Sequence, residues 1–330
     1  MKTEAFFNFM YYHRAQGLAH TAKITGDNEE NGFFLVYLCD WTGSGPKDEG
    51  PDACGTGCTK EEPLINSAVE FQLWDEEIDL LVLDGIRPES MDEIRRLTGK
   101  NHVKELVMPK GDLLEEWGRN DPADKVTILE EGQTFSVERG KWMVHIICCR
   151  NDEGNSLAVY HGPKDADPAK DDCLMTVRPF SNKVPCGKCR NDVNHVCAMR
   201  CSLYHDFDVC KKHNDRNCER YTVGTLLLGN VNLKEHGKLG RKIPEFQDIA
   251  EKTRFLVLPD GGGCGAWFPG LLKELDPCRE QLNRYFIVTG NKKDNAETVK
   301  EIACSGMYYK PEFLTDEYGV CATGFFTEKA

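Results

Sequence analysis

The run from Ile78 to Pro109 constrains the fold most. It reads IDLLVLD, GIRPES, MDEIRRLTG and KNHVKELVMP in succession. IDLLVLD is an apolar stretch of strand length, and HVKELVMP is a second. Between them Ser90 precedes a run of helix formers and Gly99 supplies a C-terminal stop, so PESMDEIRRLTG is expected to be helical. Strand, helix and strand in such quick order point to a layered α/β fold in which helices cover a sheet. The turn at Asp84-Gly85 then matters for function, because open α/β proteins place their chemistry just past the carboxyl ends of such strands. The loop there offers Asp84, Arg87 and Glu89, with no His or Cys beside them.

The rest of the chain repeats the theme. FFNFMYY and FFLVYLCD, within residues 5–40, are rich in aromatic and β-branched residues as strands prefer, with GDNEENG as a turn between them. INSAVEFQLWDEE reads as a helix and residues 113–118 as a short one. KVTILEEGQTFSVERGKWMVHIICCRN and NSLAVYHG alternate like antiparallel strands. Residues 162–182 read as a polar loop. Beyond them come a strand in TVGTLLLGN, a helix in PEFQDIAEK, a strand in TRFLVLP, a helix in AWFPGLLKEL, a strand in RYFIVTGN, a helix in AETVKEIAC and short strands near 307–326. Two groups of strands, each interleaved with helices, fit an α/β sandwich.

Composition narrows the function classes. No apolar run approaches the length needed to span a bilayer, so no membrane partner is expected. The opening MKTEAFFNFMYYHRAQG contains Glu4, Asn8 and His13 and reads as a first strand, not as a secretory signal. The formal net charge is -13. Affinity for phosphates comes from clustered Lys and Arg, so nucleic acid is not the default partner. Sixteen cysteines without a secretory signal favour a reducing, cytoplasmic setting and metal ligation over disulfides.

Most of that metal chemistry is concentrated in residues 185–220, PCGKCRNDVNHVCAMRCSLYHDFDVCKKHNDRNCER. Candidate ligands are Cys186, Cys189, His195, Cys197, Cys201, His205, Cys210, His213 and Cys218. The segment has too few apolar residues to build a core and needs a staple. Zinc supplies one through four thiolate or imidazole ligands, often paired from short loops. Cys186 and Cys189 with Cys210 and His213 make the most natural first site. Cys197, Cys201 and Cys218 with His195 or His205 complete a second. These sites look saturated, so two structural zinc ions are expected in preference to a catalytic one. Upstream, Cys54 and Cys58 sit in a Gly- and Pro-rich loop and could join Cys39 in a further site; free thiols are the plainer reading.

Outside that segment, short stretches in order resemble the metallo-β-lactamase fold, in particular the branch that includes the hydrolase domain of bacterial DNA-uptake channel proteins. YYHRAQGLAHTAKI is similar to that branch's opening strand, Val-Gly-Gln-Gly-Asp-Ser, with Gln16 and Gly17 matching. FFLVYLCD ends in Asp40, where the family has Ile-Asp followed by Cys or Gly and then Gly. IDLLVLDGIRPESMDEIRRL resembles Asp-Leu-Leu-Val-Leu-Thr-His-x-His-x-Asp-His. NSLAVYHG is similar to the Asn-Ser-Leu-Val-Leu strand, GTLLLGNV to the Leu-Leu-Thr-Gly-Asp turn, FLVLPDGGG to Leu-Lys-Val-Pro-His-His-Gly-Ser, and FLTDEYGV to Thr-Asp-x-x-Gly-x-Ile. The resemblance spans roughly 8–165 and 222–326. It implies an αββα sandwich whose halves are residues 1–165 and 222–330, with a small zinc-binding insertion over 166–221.

The resemblance also implies where a metal centre would lie, and there the ligands are replaced. The family's first two His fall on Gly85 and Arg87, its Asp on Glu89 and its third His on Ser90. Its bridging Asp falls on Asn230, and its last His pair on Asp260 and Gly261. Two-metal hydrolysis needs such groups to hold the metals and to generate hydroxide. Gly offers no ligand, and Arg87 would repel a cation. The expectation is a catalytically inactive scaffold or protein-interaction subunit with structural zinc, working with a protein partner in a larger assembly. A hydrolase or nuclease rebuilt on Asp84, Glu89 and Asp260 is one alternative. A sensor holding a small anion against Arg87 and the Gly-rich loop is another.

The remaining candidates have plain structural readings. DGGGCGAW follows a strand but lacks the Gly-Lys-Ser/Thr of a phosphate-binding loop, so its glycines are expected to fill a turn. Cys264 at a helix start is a nucleophile candidate with no His assigned beside it. His145 and Cys148-Cys149 are expected to be ordinary sheet residues.

Overall fold

The computed structural model of the chain describes residues 3–13, 17–25, 32–40, 77–86, 88, 91–111, 123–139, 142–151, 154–164, 172–181, 224–232, 249, 253–259, 285–287, 310–311 and 320–329. Their strands are β1 (Thr3–His13), β2 (Gly17–Thr25), β3 (Phe33–Cys39), β4 (Ile78–Asp84), β5 (Val103–Pro109), β6 (Lys125–Leu129), β7 (Thr134–Arg139) and β8 (Trp142–Asn151). They continue with β9 (Gly154–Pro163), β10 (Asp172–Ser181), β11 (Gly224–Leu227), β12 (Thr253–Val257), β13 (Tyr285–Ile287), β14 (Lys310–Pro311) and β15 (Val320–Lys329). One helix, α1 (Met91–Thr98), is described.

The strands form two mixed sheets. The larger runs β10-β15-β1-β2-β3-β4-β5-β6 and the smaller β14-β13-β12-β11-β9-β8-β7. Each has an antiparallel half and a parallel half. In the larger sheet β1 to β3 pair antiparallel, and β3 to β6 pair parallel. In the smaller, β7, β8, β9 and β11 pair antiparallel, and β11 to β14 pair parallel. Parallel neighbours need a crossover segment, and α1 supplies the one between β4 and β5.

The periodicity of the strands decides the layers. On β2 and β3, alternate residues Leu18, Ala22 and Ile24, and Phe33, Leu35 and Tyr37, face the smaller sheet. They share one core with Leu80, Val82, Val144, Ile146, Leu157, Val159, Leu227 and Val257. This joint core is why the two sheets lie face to face. The opposite residues, Phe34, Val36 and Leu38 with Leu81 and Leu83, form a second core on the outer face of the larger sheet. There Met91 and Ile94 of α1 cover them. β3 and β4 are buried on both faces, which is why they read as nearly continuous apolar runs. Leu35 is fully buried in the joint core, so Leu35→Ala should lower the unfolding free energy by about 2–5 kcal/mol in a urea titration.

Two expectations need correction. KVTIL was expected to join an antiparallel set, but β6 pairs parallel with β5 and closes the larger sheet. The turn after it, where Gln133 N–H donates to the Glu130 carbonyl at 2.9 Å, carries the chain across to β7 in the smaller sheet. Alternation reports which face is buried and says nothing of the partner. Residues 172–181 fall in the expected polar loop, yet they form β10 and pair antiparallel with β15. The larger sheet thus draws ten residues from the stretch assigned to the insertion. Other expectations agree: strands at 78–84 and 103–109, a helix over 91–98, and buried strand positions for Cys148 and Cys149. The helices expected at 113–118, AWFPGLLKEL and AETVKEIAC, and at INSAVEFQLWDEE apart from its last residue Glu77, lie outside the described residues.

Candidate functional site

Three strand ends meet at one corner of the sandwich. β3 and β4 run parallel with Cys39 opposite Asp84, so their carboxyl ends fall together. Asp40 follows the first with φ 49, and Gly85 follows the second with φ 58. From the smaller sheet, β11 leads through Leu228 to Gly229, with φ 49, and Asn230. The Val231 N–H closes this turn on the Leu228 carbonyl at 2.8 Å. Left-handed backbone suits Gly and is tolerated by Asp. Its recurrence at all three ends lets the chain turn sharply as it leaves each strand.

The turns interlock through polar side chains. The Asp40 N–H donates to the Asp84 carbonyl at 3.1 Å. Asn230 Nδ2 donates to Asp40 Oδ2 at 2.8 Å, joining positions 190 apart in the chain. Asp84 is buried and turns inward. Its Oδ2 accepts from Ser156 Oγ of β9 at 2.8 Å and from the Tyr37 hydroxyl at 3.2 Å, with Cys39 Sγ at 3.8 Å. Its Oδ1 has no hydrogen-bond partner among the described residues.

Burial sets the protonation of this cluster. It pushes the Asp84 carboxyl up to about 6. The hydrogen bond from Ser156 and the nearby Leu157 N–H pull it down by less, the Asp40 carboxylate pushes it further up, and Tyr37 again pulls down. Burial, reinforced by Asp84, likewise holds the Cys39 thiol well above its ordinary value. For Tyr37 burial is again the main cause, with Cys39 and Asp84 adding to it. The corner therefore contains neutral hydroxyls and a neutral thiol around a carboxyl that is protonated in mild acid. A thiol so held is a poor nucleophile and a poor metal ligand.

The residues at this corner do not fit the paired-metal centre that the sequence resemblance implies. A Cβ at Gly85 would fall on Asn230 Nδ2 and Asp40 Oδ1, so a ligating side chain there has no room. Asn230 directs an N–H, not a lone pair, at Asp40. A Cβ at Gly229 would strike the Tyr37 hydroxyl and Asp84 Oδ2. Among the described residues no group of three or more His, Cys, Asp or Glu is arranged to hold a metal ion.

Of the expected pocket residues, the structure thus brings Asp84, Gly85 and Asn230 together with Asp40. Arg87, Glu89, Ser90, Asp260 and Gly261 lie outside the described residues, as do Cys186, Cys189, His195, Cys197, Cys201, His205, Cys210, His213 and Cys218. Cys54, Cys58 and Cys264 do too. Cys39 points into the corner and contacts Asp84. His145 behaves as a sheet residue, its Nδ1 2.5 Å from Ser136 Oγ on the neighbouring strand.

Sequence reasoning missed Tyr37, Ser156 and Gly229 as parts of the corner, and the buried pair His20 and His161. Only the histidines left a signal, a polar residue within an apolar alternation. In GLAHTAKI, His20 takes an inward position between Leu18 and Ala22. Its Nε2 lies 2.8 Å from His161 Nε2 across the core.

No family model matches the chain, and no curated protein matches it. Among solved structures it is similar to the metallo-beta-lactamase fold protein YhfI from Bacillus subtilis, at 8% identity with a TM-score of 0.28. The match covers 49% of this chain and 64% of that one, so this chain spans less than two thirds of its neighbour.

Proposed function

We propose that this protein is a non-catalytic scaffold or protein-interaction subunit, built on a metallo-β-lactamase-like sandwich and stapled by structural zinc. The carrying observation is the corner itself. The position that would supply the first metal-binding His is Gly85, and the space for its side chain is taken by Asn230 and Asp40. Interlocked hydrogen bonds occupy the place of an open coordination site, and among the described residues no set of ligands stands ready for hydrolysis through two metals.

The charge of the corner also argues against the sensor alternative. Asp40 and Asp84 are the acidic groups the described residues place there, and both oppose a small anion. The zinc role rests on ligand spacing in residues 186–218, which offers two four-ligand sets. A reducing cytoplasmic setting is part of this proposal and rests on the sixteen cysteines and their Cys/His ligand spacing. The partner is proposed to be a protein. Among the described residues no helix is long and apolar enough to cross a membrane.

Metal content per chain tests the reading, measured by mass spectrometry beside a variant with Cys186, Cys189, Cys210 and His213 replaced. About two zinc ions in the wild type, falling toward one in the variant, are expected from the four-ligand arithmetic. The same wild-type preparation should hydrolyse neither phosphodiesters, β-lactams nor thioesters. Metal-dependent turnover abolished by Glu89→Ala would sink the proposal.

A further inference from the structure

We propose that His20 and His161 form an acid-operated latch that holds the two sheets together. His20 stands on β2 of the larger sheet and His161 on β9 of the smaller, and both are fully buried. Their Nε2 atoms are 2.8 Å apart, with ring centroids 5.0 Å apart and planes tilted by 30°. That is a hydrogen bond across the sandwich between residues 141 apart in sequence.

The proton balance makes the pair sensitive to acid. Two neutral imidazoles carry two ring hydrogens on four nitrogens, and one hydrogen lies in the shared Nε2–H···Nε2 bond. His20 Nδ1 has no partner among the described residues, whichever ring donates. A first added proton creates an imidazolium inside an apolar layer, still donating across the bond. A second sets N–H against N–H with two like charges in contact, and the bond is lost. Burial already holds His20 down to about 3, and burial with the neighbouring His20 holds His161 well below its ordinary value.

Among the described side chains few titratable groups face the pair. The other buried titratable groups among the described inner-face side chains are Tyr37 and Cys39 on β3, Asp84 on β4 and Cys148 on β8. Thr225 of β11 stands opposite His161, and Tyr37 stands opposite His20. Arg139 of β7 lies over the Phe33 ring, with its guanidinium 5.1 Å from the centroid, and is exposed. Among these only Asp84 can carry negative charge in mild acid, and its Oδ2 is engaged by Ser156 and Tyr37.

The sign follows from linkage. Once the sheets part, both rings regain ordinary imidazole behaviour near pH 6.5. Below that value the parted state binds up to two more protons than the closed state, so closure weakens as pH falls from about 6.5 toward 3. At full difference the equilibrium constant for parting rises about a hundredfold per pH unit. Above about 6.5 both states are neutral and the latch adds no pH dependence. Opening it also separates Ser156 of β9 in the smaller sheet from Asp84 of β4 in the larger. The latch requires nothing about what the corner binds.

The test is urea unfolding of the full chain between pH 7.5 and 5, beside the double variant His20→Leu/His161→Leu. The wild type should take up nearly two more protons on unfolding than the variant near pH 5, read from the two pH slopes. Equal slopes overturn the latch. If the variant does not fold, ¹⁵N-labelled wild type gives a second reading. A ring-to-ring ¹⁵N coupling through the shared hydrogen at pH 7, lost with the native fold in acid, supports the latch. Absence of that coupling in the folded chain at pH 7 overturns it.

Discussion

Gly229→Ala is expected to lower the unfolding free energy by about 2–5 kcal/mol, combining left-handed strain with overpacking of a filled site. Gly229 has φ 49, and its added methyl would meet the Tyr37 hydroxyl and Asp84 Oδ2. Both neighbours are fully buried and hydrogen-bonded to each other, so neither can withdraw without breaking that bond. Gly132 provides the control. It has φ 77 and nothing within 4 Å of its Cβ position, so Gly132→Ala isolates the backbone term. That control should cost about 1–2 kcal/mol. Equal losses for the two variants in parallel urea titrations would refute the packed corner. The same logic makes Gly85→His a destabilising change and not a restored ligand.

Asp84 is expected to dominate the carboxylate part of the pH profile. Its folded carboxyl titrates near 6 against an ordinary value of 3.8. The folded chain therefore holds an extra proton between those values. Its contribution is fully present below about 4 and is lost as pH rises through 6, a decline of about 3 kcal/mol when roughly two units are converted. Asp84→Asn, which cannot ionise, should remove this slope. The histidine pair acts in the opposite direction over the same interval, so Asp84→Asn and the double histidine variant separate the two. Asp84→Ala should do worse at every pH, because the Tyr37 and Ser156 hydroxyls lose their buried acceptor at about 1–3 kcal/mol each. If Asp84→Asn leaves the pH profile unchanged, the carboxyl is not held neutral by burial.

Much of the local structure was legible in the chain. IDLLVLD and HVKELVMP read as strands, and MDEIRRLT between Ser90 and Gly99 read as a helix, because each signal lies within its own few residues. Residues 172–181 did not read as a strand. They pair with residues 321–329, and nothing local in DCLMTVRPFS announces that partner. The corner was half legible: Gly85 and Asn230 were marked by the motifs they interrupt, whereas Ser156 and Tyr37 gave no sign. An exposed Ser and a Ser donating its hydroxyl to a buried carboxyl look identical in one dimension.

By itself the sequence determined most of the described strands, the crossover helix, the apolar faces and the absence of a metal-binding side chain at the first His position. These depend on composition and spacing within one element, where period and residue type carry the information. Only the tertiary structure decided which sheet each strand joined, and that Asn230 reaches Asp40 across 190 positions. The same holds for His20 and His161, which meet inside the core. Such contacts are set when two amphipathic sheets bury their inner faces against each other. That event brings polar residues from distant strands into a space without water, where each must find its partner in another part of the chain.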